Sequence, residues 1–170
     1  MAVLDFQVEH QQKDQWCWAA VAASVCRFYR DVPVQTQCGL ANRFLFPGED
    51  CCQPDASDNC NTPFALDLVL NQLRHLIQPP RGVVKFEELD REITVNQRPI
   101  AVRIMLSDLM TAHFVVVAGC ATEDSGTQLV KIADPSNAAG NVTSLEYSAF
   151  INDYKPGANW DQTYFTIKHA

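Results

Sequence analysis

What this sequence lacks narrows its class first. No apolar stretch approaches the roughly 20 residues needed to cross a bilayer. No basic run offers a grip on an anionic membrane. A formal charge of −7 with a pI near 4.9 repels phosphate backbones. Neither membrane nor nucleic acid is therefore expected as a partner. The lead Met1 to Gln12 has no basic end followed by an apolar block and does not read as a signal peptide. No internal repeat, low-complexity tract or linker divides the chain. The cysteines never form the paired Cys-x₂-Cys unit of a zinc site, and no metal or cofactor is expected. What remains is an ordinary globular composition, 47% hydrophobic and 19% charged over 170 residues, enough for one domain with a real core.

The period of the apolar residues changes along that domain. Positions 1–98 read mainly as helices and 99–170 mainly as strands. A first helix is expected from about Gln15 to Arg30, apolar nearly all round, as a buried central helix would be, with Asp14 as its N-cap and Pro33 ending the segment. A shorter helix fits Thr36 to Phe46, stopped by Pro47-Gly48. Thr62-Pro63 reads as a helix start, with Leu66, Val69, Leu70 and Leu73 forming an apolar stripe up to about Leu76. Phe86 to Val95 is amphipathic. Beyond Pro99 come β-branched and aromatic runs at Ile100–Leu106, His113–Cys120, Leu129–Ala133 and Tyr164–Ile167, with Gly126 marking a hairpin. Helices first and an antiparallel sheet second define an α+β arrangement packed as layers.

The densest chemistry lies in Gln11-Gln12-Lys13-Asp14-Gln15-Trp16-Cys17-Trp18-Ala19-Ala20. It puts Cys17 in the first turn of a long buried helix, where free N–H groups and the helix dipole favour a thiolate, the form that acts as a nucleophile. A small cysteine packed between two tryptophans is the bland alternative. Gln11, six residues earlier, could aim its amide at the same acyl oxygen as the Cys17 N–H and complete an oxyanion hole; Gln12 competes for that role. His113 opens a central strand and can reach the interface between the layers as a general base. His10 lies in the lead, His75 near a helix end as a cap or a solvated residue, and His169 beside the C-terminus.

A glutamine, then Cys-Trp opening a long helix, then a histidine starting a later strand resembles the papain-like cysteine peptidases. The Trp-Cys-Trp-Ala-Ala form is similar to the bacterial branch that includes avirulence effector proteases of plant pathogens, and to the double-glycine peptidases that trim bacteriocin leaders. The resemblance runs from Gln11 to Pro135. It departs from plant papains before Cys17, where Gln15-Trp16 stands, and in its shorter length. It implies a papain-like fold and peptide hydrolysis by Cys17 and His113. In such enzymes an Asn or Asp at the end of the next strand orients the histidine. Hairpin geometry also brings Asp134, just after Leu129–Ala133, toward His113. Asp-Pro is also a common turn opening, and Asn137 is the fallback.

Seven cysteines, an odd number, suit a thiol enzyme exported to an oxidising place, with six pairable and one free. Cys26 lies nine residues after Cys17, on the opposite side of the helix. Cys26 and Cys120 read as core residues, or as a pair if their elements touch. Cys38, Cys51, Cys52 and Cys60 cluster around a loop poor in core formers. Two disulfides are expected there, joining Cys38 to one of the adjacent pair and Cys60 to the other; bound zinc or reduced thiols are the alternatives.

Three functions remain open. One is a cysteine endopeptidase, secreted or delivered into a target cell as an effector or toxin, with a cytoplasmic home as the alternative. It would be a monomer acting on a protein or peptide, with an inhibitor or immunity protein as a further partner. The second is deamidase, transglutaminase or amidase chemistry on the same residues. The third is a catalytically silent binding module.

Overall fold

A computed structural model describes residues 2–106, 111–138 and 141–169. Strand β1 (Ala2–Val3) is followed by helices α1 (Cys17–Tyr29), α2 (Gln37–Leu45), α3 (Leu66–Gln72) and α4 (Phe86–Thr94), with a 3-10 turn at Asp58–Cys60. Strands β2 (Ile100–Met105), β3 (Ala112–Thr122), β4 (Gln128–Ala133) and β5 (Val142–Glu146) follow, then helix α5 (Tyr147–Asp153) and strand β6 (Asn159–Phe165). The α+β reading therefore holds, with the helical half first.

Every strand pairing among the described residues is antiparallel, in the order β5-β4-β3-β2-β6, and β1 adds to β3. β3 is central and buried almost end to end, with α1 and α4 packed on it. β1 pairs with β3 at Gly119, where a Cβ would meet the Ala2 carbonyl at 3.0 Å, so any larger residue there would press β1 away by a few tenths of an ångström. Gly126, at φ +85°, turns the β3–β4 hairpin, as its position between the two runs suggests.

α1 is buried from Cys17 through Cys26 and again at Tyr29. Its small side chains let it approach β3, α2 and α3 closely, so the helix forms the middle of the core rather than one face of it. It begins two residues later than the sequence suggests. Trp16, not Asp14, is the cap residue, with no side-chain cap, and Asp14 lies in the preceding turn, where its carbonyl accepts from Gln11. The helix ends before Pro33. Arg30 adopts a left-handed conformation (φ 62°), and the Arg30 and Asp31 N–H groups bond back to the Arg27 and Cys26 carbonyls.

Other boundaries shift for local reasons. Thr36 caps α2 by accepting from the Gly39 N–H. Thr62-Pro63 does not start α3. The Thr62 carbonyl holds the Trp18 indole and its hydroxyl bonds the Asn59 carbonyl, which keeps 62–65 out of the helix until Leu66. The expected stripe of Leu66, Val69, Leu70 and Leu73 is buried. The last strand covers Asn159–Phe165 rather than Tyr164–Ile167. β5 and α5 were not legible, and neither was the alternating lead in which Leu4, Phe6 and Val8 are buried.

Two disulfides, Cys38–Cys52 and Cys51–Cys60, staple the loop after α2, in the expected cross-pairing. Cys17, Cys26 and Cys120 are free and buried.

Candidate active site

Cys17 is the first residue of α1 and only 6% exposed. The first turn of a helix carries N–H groups without intrahelical acceptors and the positive end of the helix dipole, and Cys17 stands in it. Its flanks are clamped by the disulfide-stapled loop. The Trp16 indole N–H donates to the Cys60 carbonyl at 2.5 Å, the Trp18 indole to the Thr62 carbonyl at 3.1 Å, and the Gln15 N–H to Asn61 Oδ1 at 3.0 Å. The Cys51–Cys60 bridge thus ends at a residue that holds the turn before the nucleophile candidate.

His113 stands one residue into β3. Its Nε2 donates to Asp134 Oδ1 at 2.6 Å across the β3–β4 pairing. Nδ1 is left for Cys17, whose side chain is the other hydrogen-bonding and charge partner of the ring. Burial works against the imidazolium, but the bonds and charges of Asp134 and Cys17 outweigh it and push the His113 pKa up to about 9.

Asp134 is 1% exposed and heavily supplied with donors. Ser136 gives Oδ1 both its N–H (2.8 Å) and its hydroxyl (2.7 Å), the Tyr154 hydroxyl donates to Oδ2 at 2.7 Å, and Lys155 Nζ lies 3.5 Å from Oδ2. Burial alone would favour the neutral acid. The His113 bond and charge, with the Tyr154 and Ser136 donors, instead hold this carboxyl well below the usual range. Burial, with Asp134 adding to it, raises the Tyr154 phenol, so it remains a proton donor. Tyr154 follows α5, and nothing in the local sequence distinguishes it; only the packing of α5 against β4 brings it to Asp134.

The remaining candidates fall at varied distances from this centre. Gln11 is half-buried beside the turn before Cys17, with its backbone N–H on the Pro135 carbonyl (2.9 Å). Its amide nitrogen donates to the carbonyls of Asp14 (2.7 Å) and Lys13 (3.2 Å), and its buried Oε1 has no hydrogen-bond partner. Gln12 is exposed. Asn137 offers its carbonyl to His10 Nδ1 at 2.8 Å and its N–H to the Asp134 carbonyl, not its side chain to His113. His75 is neither a cap nor solvated: it is fully buried and bonded to Asp31 and to the Ile167 carbonyl.

A cleft of about 350 Å³ opens beside Cys17, walled by Trp18, Phe64 and Phe114, with Arg103 at one side. Arg103 is held by a bidentate pair with Asp161 at 2.9 and 2.6 Å.

A cysteine on a helix N-terminus, facing a strand-borne histidine that bonds a buried aspartate, defines the class of thiol hydrolases on an α+β frame. The family model described as papain-like cysteine protease AvrRpt2 matches residues 2–155, and the chain belongs to that family of papain-like cysteine proteases. No curated protein matches the chain.

Proposed function

We propose that this protein is a cysteine endopeptidase in which Cys17, His113 and Asp134 act as nucleophile, acid–base and orienter. The observation that carries the reading is the Nε2–Oδ1 bond of 2.6 Å, which leaves His113 Nδ1 for the Cys17 sulfur at a helix N-terminus. With its pKa raised to about 9, His113 is an imidazolium at neutral pH and holds the proton that the leaving amine needs. The thiolate attacks the scissile carbonyl carbon, and His113 Nδ1 gives its proton to the departing amine. The acyl-enzyme is then hydrolysed by a water whose proton returns to His113. Asp134 stays ionised throughout and holds the ring, because its donors stabilise the carboxylate.

The oxyanion is stabilised by the Cys17 N–H and the Gln11 amide. Gln11 sits on the turn before Cys17, and the longer of its two bonds, to the Lys13 carbonyl at 3.2 Å, is the one exchanged for the developing charge. The cleft walled by Trp18, Phe64 and Phe114 accepts the peptide. The protein works as a monomer on a protein substrate and is delivered out of its producing cell as an effector. Its resemblance to avirulence-effector proteases and its two disulfides support export.

Mass spectrometry of a peptide library after incubation tests the reaction. New termini with wild type and none with Cys17→Ala are expected. Deamidated or cross-linked products without chain cleavage would overturn hydrolysis of peptide bonds in favour of the other acyl-transfer reactions. No reaction at all would favour a binding module.

A further inference from the structure

α1 carries a second set of chemically able side chains at its other end, unused by the chemistry above. Cys26 Sγ, an Asp31 carboxylate oxygen and a His75 ring nitrogen lie within 4.8 Å of one another. His169 Nε2 lies 3.4 Å from Asp31 Oδ1, and its ring is 5.3 Å from that of His75. We propose that Cys26, Asp31, His75 and His169 form a binding site for a zinc-class divalent cation that ties the C-terminal tail to the end of α1.

The donor types come first. One thiol, two imidazoles and one carboxylate make a nitrogen–sulfur set that suits zinc over magnesium or calcium. The orientation of His75 is the second, independent observation. Its Nδ1 lies 2.7 Å from the Ile167 carbonyl, which can only accept, so Nδ1 carries the hydrogen. That leaves Nε2 aimed at Asp31, 2.6 Å away. A ring whose far N–H is fixed on a backbone carbonyl is the arrangement that orients metal-ligating histidines. The ring cannot easily swing away. It stacks on Tyr29 at 5.1 Å and 18°, and the Tyr29 hydroxyl is hydrogen-bonded with Thr166 Oγ1 at 2.8 Å. The Ile167 N–H in turn bonds the His75 carbonyl, so ring and tail are held to each other twice.

The helix end supplies the rest. The left-handed Arg30 turns the chain so that the Asp31 N–H bonds the Cys26 carbonyl, which sets the carboxylate beside the thiol. Tetrahedral ligands at bond lengths of about 2.0–2.3 Å stand roughly 3.3–3.7 Å apart. The 4.8 Å cluster of Cys26, Asp31 and His75 is compatible with that spacing, the His75–Asp31 separation of 2.6 Å need widen by less than about 1 Å, and His169, which lies outside that cluster, closes on the ion from Asp31 as the fourth ligand. Cys26 and His75 are buried, whereas His169 is 38% exposed and stands at the entrance. Cation entry breaks the Cys26 S–H bond and displaces the proton between His75 and Asp31. Both protons leave to solvent as metal–sulfur and metal–nitrogen bonds form.

The test uses the full chain, freed of metal by chelation and carrying Cys17→Ala so that the active-site thiol cannot ligate. Cobalt(II) should bind one equivalent and give a thiolate-to-cobalt charge-transfer band, which zinc(II) abolishes by displacement. Adding Cys26→Ser should remove the band. His169→Ala, at an exposed position that leaves the fold intact if Cys26→Ser does not, should weaken cobalt binding at least about tenfold. No band in the Cys17→Ala protein, a band that survives Cys26→Ser, or unchanged affinity in His169→Ala would each overturn the site.

Discussion

One helix carries two Cys-His-Asp clusters, nine residues apart, and they differ in almost everything that matters for reactivity. Cys17 stands at the helix N-terminus, beside a cleft, partnered by a histidine whose other ring nitrogen is on Asp134. Cys26 stands in the last turns, 1% exposed. Burial first, and then the Asp31 carboxylate, raise its thiol far above the usual range. The dipole favours a negative sulfur at one end and opposes it at the other. The two nitrogens of His75 are spent on the Ile167 carbonyl and Asp31, whereas His113 spends only Nε2 on Asp134 and keeps Nδ1 for Cys17. The proposed nucleophile is thus set apart from Cys26 by the end of the helix it occupies and by the ring nitrogen turned to it, not by residue types.

Breaking the first cluster should have the largest effect. Cys17→Ala should lower kcat/KM by about 10⁴-fold or more with the fold retained, since alanine is a good helix former. In a steady-state assay on a peptide from the library, Asp134→Ala should cost less than His113→Ala, because in the proposed mechanism Asp134 orients the base without moving the proton. Equal activity of Asp134→Ala and wild type would remove it from the site. Breaking the second cluster should show in stability instead. Asp31→Ala leaves His75 buried with a missing partner and should cost about 3 kcal/mol in urea unfolding. The kcat/KM per folded molecule should change by less than about tenfold, within the scale of a distant packing change.

The smallest effects sharpen the description of His113. Its raised pKa means that imidazolium is lost as pH rises through about 9, so kcat/KM should fall on the alkaline side there. The same shift makes its stabilising contribution complete below the ordinary imidazole value and lost as pH climbs through about 9. Asp134 runs the other way: its depressed pKa contributes above the ordinary carboxylate range and is lost on strong acidification. Tyr154→Phe removes one of the donors to the ionised Asp134, a bond to a charged group worth about 1.5–3 kcal/mol, and with the Ser136 and His113 bonds still in place it should reduce kcat/KM by about tenfold.

What could be read from the chain follows the range of the interactions involved. The all-apolar run of α1, the β-branched run of β3 and the cysteines around the α2 loop are local patterns, and each is matched by an element or a bridge. Asp134 could be singled out because a hairpin converts sequence distance into spatial distance. Tyr154 and the His75 cluster could not. Each depends on the docking of an element with weak periodicity, α5 on β4 for the first and the C-terminal tail on the end of α3 for the second. The side-chain partners of Gln11 were hidden as well, because they are backbone carbonyls of the same short turn. Asp14 and Thr62 show the limit of cap rules: both carry the right side chain, yet their backbone groups are committed to neighbours.

The contrast between the two ends of α1 is tested most directly by timed alkylation of the folded protein with iodoacetamide at neutral pH, mapped by peptide mass spectrometry. The account predicts that Cys17 is modified first, that Cys26 and Cys120 stay unmodified until the protein unfolds, and that His113→Ala slows the reaction at Cys17. Modification of Cys26 or Cys120 before Cys17 would contradict it.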